Sequence, residues 1–215
     1  MMKIPEKEAL RYFGLCGGAG GEEALSLLRS VIAEYEKGIE PRVVMREFPC
    51  DVSDGRVSVG GINFESRTLA KHLAGCARVM LFAATLGAKA DVMARAFSVR
   101  SAAMGAAAQA AGAAMTERFC DDECEALEKK YSEEGLHITP RFSPGYGDLD
   151  IKYQRDFFAL LDVTRRIGVT LTDTLMMAPS KSVTAFIGIT DSPAHSFSKC
   201  LDCKNTDCPF RRESQ

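Results

Sequence analysis

The chain is 215 residues long, 46% hydrophobic and 26% charged, values ordinary for a globular protein and contrary to wholesale disorder. A chain of this size suits one domain or two small ones and buries about 70% of its surface on folding, so it needs no staples. A net charge of −2, no Trp and no basic cluster argue against a nucleic-acid partner, and no stretch is apolar enough to span a bilayer.

Residues 1–8 contain no apolar run of the secretory kind, so a cytoplasmic location is expected. There, eight cysteines stand as reduced thiols or metal ligands, not as structural disulfides. Residues 5–13 read as a short helix, and the glycine-rich stretch 14–21 (GLCGGAGG) as a turn; it lacks both nucleotide-loop patterns. Residues 22–37 follow the helical i, i+3, i+4, i+7 rule through Ala24, Leu27, Leu28, Val31, Ile32 and Tyr35. Strands are expected at 42–49 and 57–62, paired across Asp54-Gly55. Ser66 caps a helix running to Leu73. The apolar run 79–85 reads as a buried central strand, and a helix follows over 88–97.

One long helix is expected from 101 to about 133. Ala103, Ala107, Ala111 and Ala114 in its first half leave room for another backbone, and its second half is charged. A short strand over 137–141 leads into a turn at 142–148. A helix follows over 156–166, with Phe157, Leu160, Leu161 and Val163 inward, and then strands over 173–176 and 183–190. The fold class is α+β: a twisted antiparallel sheet with one long helix and flanking helices. The expected domain spans 1–195, with a cysteine-rich tail over 196–215.

The turn Arg141-Phe142-Ser143-Pro144-Gly145-Tyr146-Gly147-Asp148 is rich in chemistry. Arginine grips a carboxylate through paired hydrogen bonds. Gly145 and Gly147 let a ligand lie on the backbone, and the Tyr146 ring face attracts a cation. A cation bearing a carboxylate, such as the sulfonium S-adenosylmethionine, suits that set. The same residues also suit a rigid turn with Arg141 in an ordinary salt bridge.

The pattern Arg-x-x-x-Gly-Tyr resembles the S-adenosylmethionine-binding turn of the activation (reactivation) domain of cobalamin-dependent methionine synthase. Leu10-Arg11-Tyr12, Leu81-Phe82-Ala83-Ala84-Thr85-Leu86-Gly87 and Met177-Ala178-Pro179-Ser180-Lys181-Ser182-Val183 agree in the same order, so the likeness covers residues 8–192. It implies a reactivation subunit, of the short free-standing form, that presents S-adenosylmethionine for reductive methylation of cob(II)alamin. Arg141 would hold the methionine carboxylate, Gly145 would give close backbone contact, and Tyr146 would lie near the methionine or the cobalamin. Glu117, on the long helix, would meet the amino group. The full-length enzymes continue Gly-Tyr with Pro-Ala-Cys-Pro, where this chain has Gly147-Asp148-Leu149-Asp150. The chain also lacks the cobalamin-binding Asp-x-His-x-x-Gly motif. Its cobalamin would therefore sit on a partner, a corrinoid-binding methyltransferase, with ferredoxin or flavodoxin as electron donor.

The tail places Cys200, Cys203 and Cys208 at C-x2-C-x4-C, a spacing that suits zinc or an iron–sulfur cluster, with a fourth ligand from elsewhere, such as Cys16, Cys50 or His195, or none. Free thiols in a polar tail are the alternative. This leaves a second function class, a non-catalytic electron-transfer or docking module for a corrinoid methyltransferase. Cys120 and Cys124, one helical turn apart, read as packing or surface thiols. Lys181 reads as a contact for an anion or a partner, or as a solvated loop residue.

Overall fold

The structure, a computed structural model, describes residues 9, 10, 12, 13 and 22–192. The glycine-rich turn, the expected domain boundary and the cysteine tail lie outside these residues.

The amphipathic segment Glu22–Gly38 forms helix α1 and buries Leu28, Val31 and Tyr35. Strand β1 (Arg42–Ser53) pairs antiparallel with β4 (Arg78–Thr85) through its first eight residues and with β2 (Arg56–Val59) through its last four. Pro49 ends the pairing with β4; proline has no N–H to donate to a ladder. The strand expected at 57–62 is two strands. β2 closes at Val59, and β3 (Ile62–Glu65) returns beside it across Gly60 (φ 59°) and Gly61 (φ 81°). Both central positions of this two-residue loop are left-handed, which only glycine adopts cheaply.

Helix α2 (Arg67–His72) starts at Ser66, whose hydroxyl accepts from the Leu69 N–H at 3.0 Å. After β4 come α3 (Ala88–Arg100) and the 32-residue α4 (Ala102–Glu133), matching the expected long helix. β5 (His137–Ile138) pairs with β8 (Ser182–Thr190), and β8 with β4. The sheet is antiparallel throughout, in the order β3-β2-β1-β4-β8-β5.

The helix expected over 156–166 is broken into α5 (Gln154–Leu161) and α6 (Val163–Ile167). Asp162 between them takes the left-handed conformation (φ 52°), which an aspartate tolerates better than most residues. The strand expected over 173–176 is the turn of a small hairpin joining β6 (Thr170–Leu171) and β7 (Met177–Ala178). There the Thr172 N–H donates to the Met176 carbonyl, and Leu175 has φ 64°.

Three cores result. Val79, Leu81, Ala83 and Phe186 project from one sheet face onto α2, α5 and α6, with Phe64 and Phe157 among them. Met80, Phe82, Ala84, Ala185 and Ile187 project from the other face onto Cys120, Leu127 and Tyr131 of α4. The third core lies between α1, α3 and the alanine-rich half of α4. Ala107, Ala111 and Ala114 are fully buried there, whereas Ala103 is exposed. Coverage on both faces explains why β4 is apolar without alternation.

Candidate functional site

The turn after β5 is aimed by its neighbours in the sheet. Phe142 and Phe186 exchange two backbone hydrogen bonds, Phe142 N–H to Phe186 O at 2.9 Å and the reverse at 2.7 Å. The Phe142 ring joins Phe186 in the first core and meets the Tyr146 ring edge-on at 6.3 Å. Successive side chains of an extended backbone point to opposite faces. Arg141 is thus directed away from that core, onto α4.

On α4, Glu117, Asp121 and Cys124 stand at i, i+4 and i+7 and share one face. Arg141 Nη2 lies 2.8 Å from Glu117 Oε2 and 2.9 Å from Asp121 Oδ1, and Nη1 lies 3.5 Å from Cys124 Sγ. The Arg141 side chain is only 15% exposed, while Glu117 and Asp121 are 33% and 30% exposed. The guanidinium is therefore largely desolvated and its two carboxylates still reach water. Removing one member of such a set costs more than the 0–1 kcal/mol typical of a surface pair, because a charge is left poorly solvated. Arg118, next in sequence to Glu117, points elsewhere and pairs with Asp122 and Glu125.

Burial works against the charge on Arg141, while Cys120, Cys124 and Asp121 favour it, and the balance holds its pKa above the ordinary arginine value. Only a thiolate attracts a cation. Burial pushes the Cys120 thiol up to about 12 and raises Cys124 too, so at neutral pH the attraction comes from the carboxylates. Two carboxylates facing one guanidinium leave the cluster with an excess of negative charge.

The rest of the turn is held by its own bonds. Gly145 N–H donates to Leu149 O at 2.8 Å and Tyr146 N–H to Ser143 O at 3.1 Å. Neither N–H is thus left to contact a ligand. What the turn offers is the half-exposed Tyr146 ring; the Cα face of Gly145, at φ 94°, is occupied by Ile151 Cδ1, 3.3 Å from where a Cβ would stand. Asp148 buckles the turn onto α2. Its carboxylate accepts from the Ser66 hydroxyl, from the Arg67 and Thr68 N–H groups at 2.9 and 3.1 Å, and from Thr68 Oγ1 at 2.7 Å. These donors, the Ser66 hydroxyl first, hold its pKa far below the usual carboxylate range. The departure from Pro-Ala-Cys-Pro is thus filled by a helix-capping carboxylate.

The structure brings Arg141 and Glu117 into contact and puts Gly145 and Tyr146 on the same turn. Sequence reasoning missed Asp121 and Asp148. The spacing Glu117, Asp121, Cys124 on one helical face was the available signal for the first. The second had only a serine N-cap far away in sequence. Lys181 is half-buried against α4. Its stem crosses α4 at Gly112, where a Cβ would come within 2.8 Å of Lys181 Cε, and Nζ donates to Gln109 Oε1 at 2.9 Å. A cleft of ≈ 540 Å³ beside it is lined by Asp91, Arg95, Val99, Gln109 and Ser180. Among the described residues no group of three His, Cys, Asp or Glu side chains is placed to hold a metal ion. Cys200, Cys203 and Cys208 lie outside them. No helix among the described residues is long and apolar enough to cross a membrane.

A family model described as the activation domain of vitamin B12 dependent methionine synthase matches residues 78–203. Among solved structures, the fold matches a crystal structure of the MetH reactivation domain bound to AdoHcy with a TM-score of 0.65. The match has 18% sequence identity and covers 86% of this chain and 73% of that one. No curated protein sequence matches.

Proposed function

The chain belongs to the vitamin B12 dependent methionine synthase activation-domain family, and from that premise we propose that it binds S-adenosylmethionine and presents its methyl group to a cobalamin carried by a separate corrinoid protein. The observation that carries this reading is the 2.8 Å contact between Arg141 of the Arg-x-x-x-Gly-Tyr turn and Glu117 of α4. A guanidinium beside a carboxylate matches the two ends of a zwitterionic amino acid. The methionine carboxylate meets Arg141 through N–H groups not taken by Glu117 and Asp121, and the ammonium meets a carboxylate. The half-exposed Tyr146 ring suits the sulfonium or the edge of the corrin. The AdoHcy bound to the solved relative is the demethylated product of the same methyl donor, which supports this ligand class.

Bound S-adenosylmethionine supplies an electrophilic methyl group. That methyl group, with one electron from a donor such as flavodoxin or ferredoxin, would convert cob(II)alamin held by the partner to methylcobalamin and leave S-adenosylhomocysteine. This chain contributes binding and orientation: Arg141 fixes one end of the donor, Glu117 of α4 fixes its ammonium, and the Asp148 buckle keeps the turn rigid.

Isothermal calorimetry with S-adenosylmethionine, on protein purified without oxygen and with iron and zinc counted, tests the reading. Micromolar binding is expected. Arg141→Ala should cost about 2 kcal/mol or more, roughly thirtyfold in Kd. Unchanged affinity in the variant would remove Arg141 from the site. Absence of binding together with stoichiometric iron would favour the electron-transfer alternative, for which the C-x2-C-x4-C spacing of the tail is the supporting feature.

A further inference from the structure

We propose that Asp121 makes the site selective for the charge on the ligand's sulfur, so that the methylated sulfonium binds tightly and its neutral thioether product is released. This inference rests on the reading that the Arg141 cluster is the methyl-donor site.

The observation is the second carboxylate. One carboxylate and one guanidinium would neutralise a zwitterionic amino acid completely. This cluster has two carboxylates, Glu117 and Asp121, on the same Arg141 nitrogen at 2.8 and 2.9 Å. Among the described residues, Arg141 is the cation that both carboxylates share. Arg118 is engaged by Asp122 and Glu125, and Cys120 and Cys124 remain protonated and neutral because burial raises their thiols.

When the carboxylate and ammonium of the ligand are paired with Arg141 and Glu117, one negative charge stays unmatched on Asp121. A sulfonium matches it. Methyl transfer removes the methyl group as a formal cation and leaves a neutral sulfur with both bonding carbons in place. The product therefore leaves the same negative charge unbalanced. A charge in a half-buried site is screened less than one in water, so the difference survives at ordinary ionic strength. Product binding is weakened without any change in shape.

The roles of the two carboxylates separate by experiment. Calorimetry at neutral pH compares S-adenosylmethionine, S-adenosylhomocysteine and sinefungin, in which an amine cation replaces the sulfonium. The wild-type protein should bind the two cationic ligands about tenfold more tightly than S-adenosylhomocysteine, a difference of about 1.4 kcal/mol. Asp121→Asn keeps the shape and removes the charge. It should bring that ratio to within about threefold while S-adenosylhomocysteine affinity stays within about threefold of wild type. Glu117→Gln should weaken all three ligands alike, because all three carry the ammonium. Thermal melts of both variants check that they fold. A ratio unchanged in Asp121→Asn, or equal weakening of all ligands in it, would overturn the charge-selecting role and leave the site assignment standing. Failure of every ligand to bind the wild-type protein would overturn the site assignment and this inference with it.

Discussion

At the scale of single residues, Asp148 is the most consequential position that its neighbours in sequence do not announce. It closes the 141–148 turn by accepting hydrogen bonds from Ser66, Arg67 and Thr68, more than seventy residues earlier. Asp148→Ala should lower stability by about 1–2 kcal/mol, the range of a lost helix cap, measured by urea unfolding. The pH dependence has a definite sign. The folded-state pKa of Asp148 is depressed below that of the unfolded chain, so the unfolded state binds the proton more readily in acid. Its contribution is complete above the unfolded value of about 3.9 and is lost as pH falls below it. Asp148→Asn should therefore show a shallower drop in Tm between about pH 4 and pH 2 than wild type. An identical acid limb in the two proteins would mean that the buckle does not hold in solution. The Arg-x-x-x-Gly-Tyr resemblance singles out Arg141, and the long helix offers Glu117 as the nearest glutamate; the structure puts the two in contact. Asp121 is not singled out, because a carboxylate on a charged helical half looks like any solvated residue until a cation is packed against it.

At the scale of elements, α4 serves two cores with two compositions. Its alanine-rich first half lies against α1 and α3, and its second half covers the sheet and offers Glu117 and Asp121 to the turn. The small residues permit close approach. A Cβ added at Gly105 would come within 2.6 Å of Ser98 Oγ and 3.0 Å of Ser98 Cα on α3. Gly105→Ala improves helix propensity by up to about 1 kcal/mol, but the backbone contact opposes it with an overpacking cost of about 1–3 kcal/mol. The net expectation is a lower Tm; a raised Tm would mean that α3 moves aside freely. Periodicity and caps placed α1, α3 and α4 correctly because those signals lie within the element. The breaks at Gly60-Gly61, Asp162 and Leu175 were misread. Each is a backbone choice of left-handed conformation, and apolar patterning is silent about φ.

At the scale of the whole molecule, Cys50 and Cys76 report on one sheet face, and Cys120 and Cys124 on the other. Burial pushes the Cys50 thiol up to about 11 and Cys120 to about 12. In the native protein these four should resist alkylation near neutral pH, since the thiolate is the nucleophile. Peptide mapping after iodoacetamide treatment in urea should show both faces labelled at one common midpoint, as a single cooperative unit requires. Separate midpoints would divide the molecule into independently melting halves. The fold class, the long helix, the buried central strand and the Arg-x-x-x-Gly-Tyr turn were all settled by the amino-acid sequence alone, because period, caps and turn residues act between near neighbours in the chain. The tertiary structure alone decided which carboxylates surround Arg141, what Asp148 does in place of Pro-Ala-Cys-Pro, and where Lys181 goes. Those facts depend on Coulomb and hydrogen-bond contacts between segments far apart in sequence, which only the packing of α4 and α2 against the sheet brings within 3 Å.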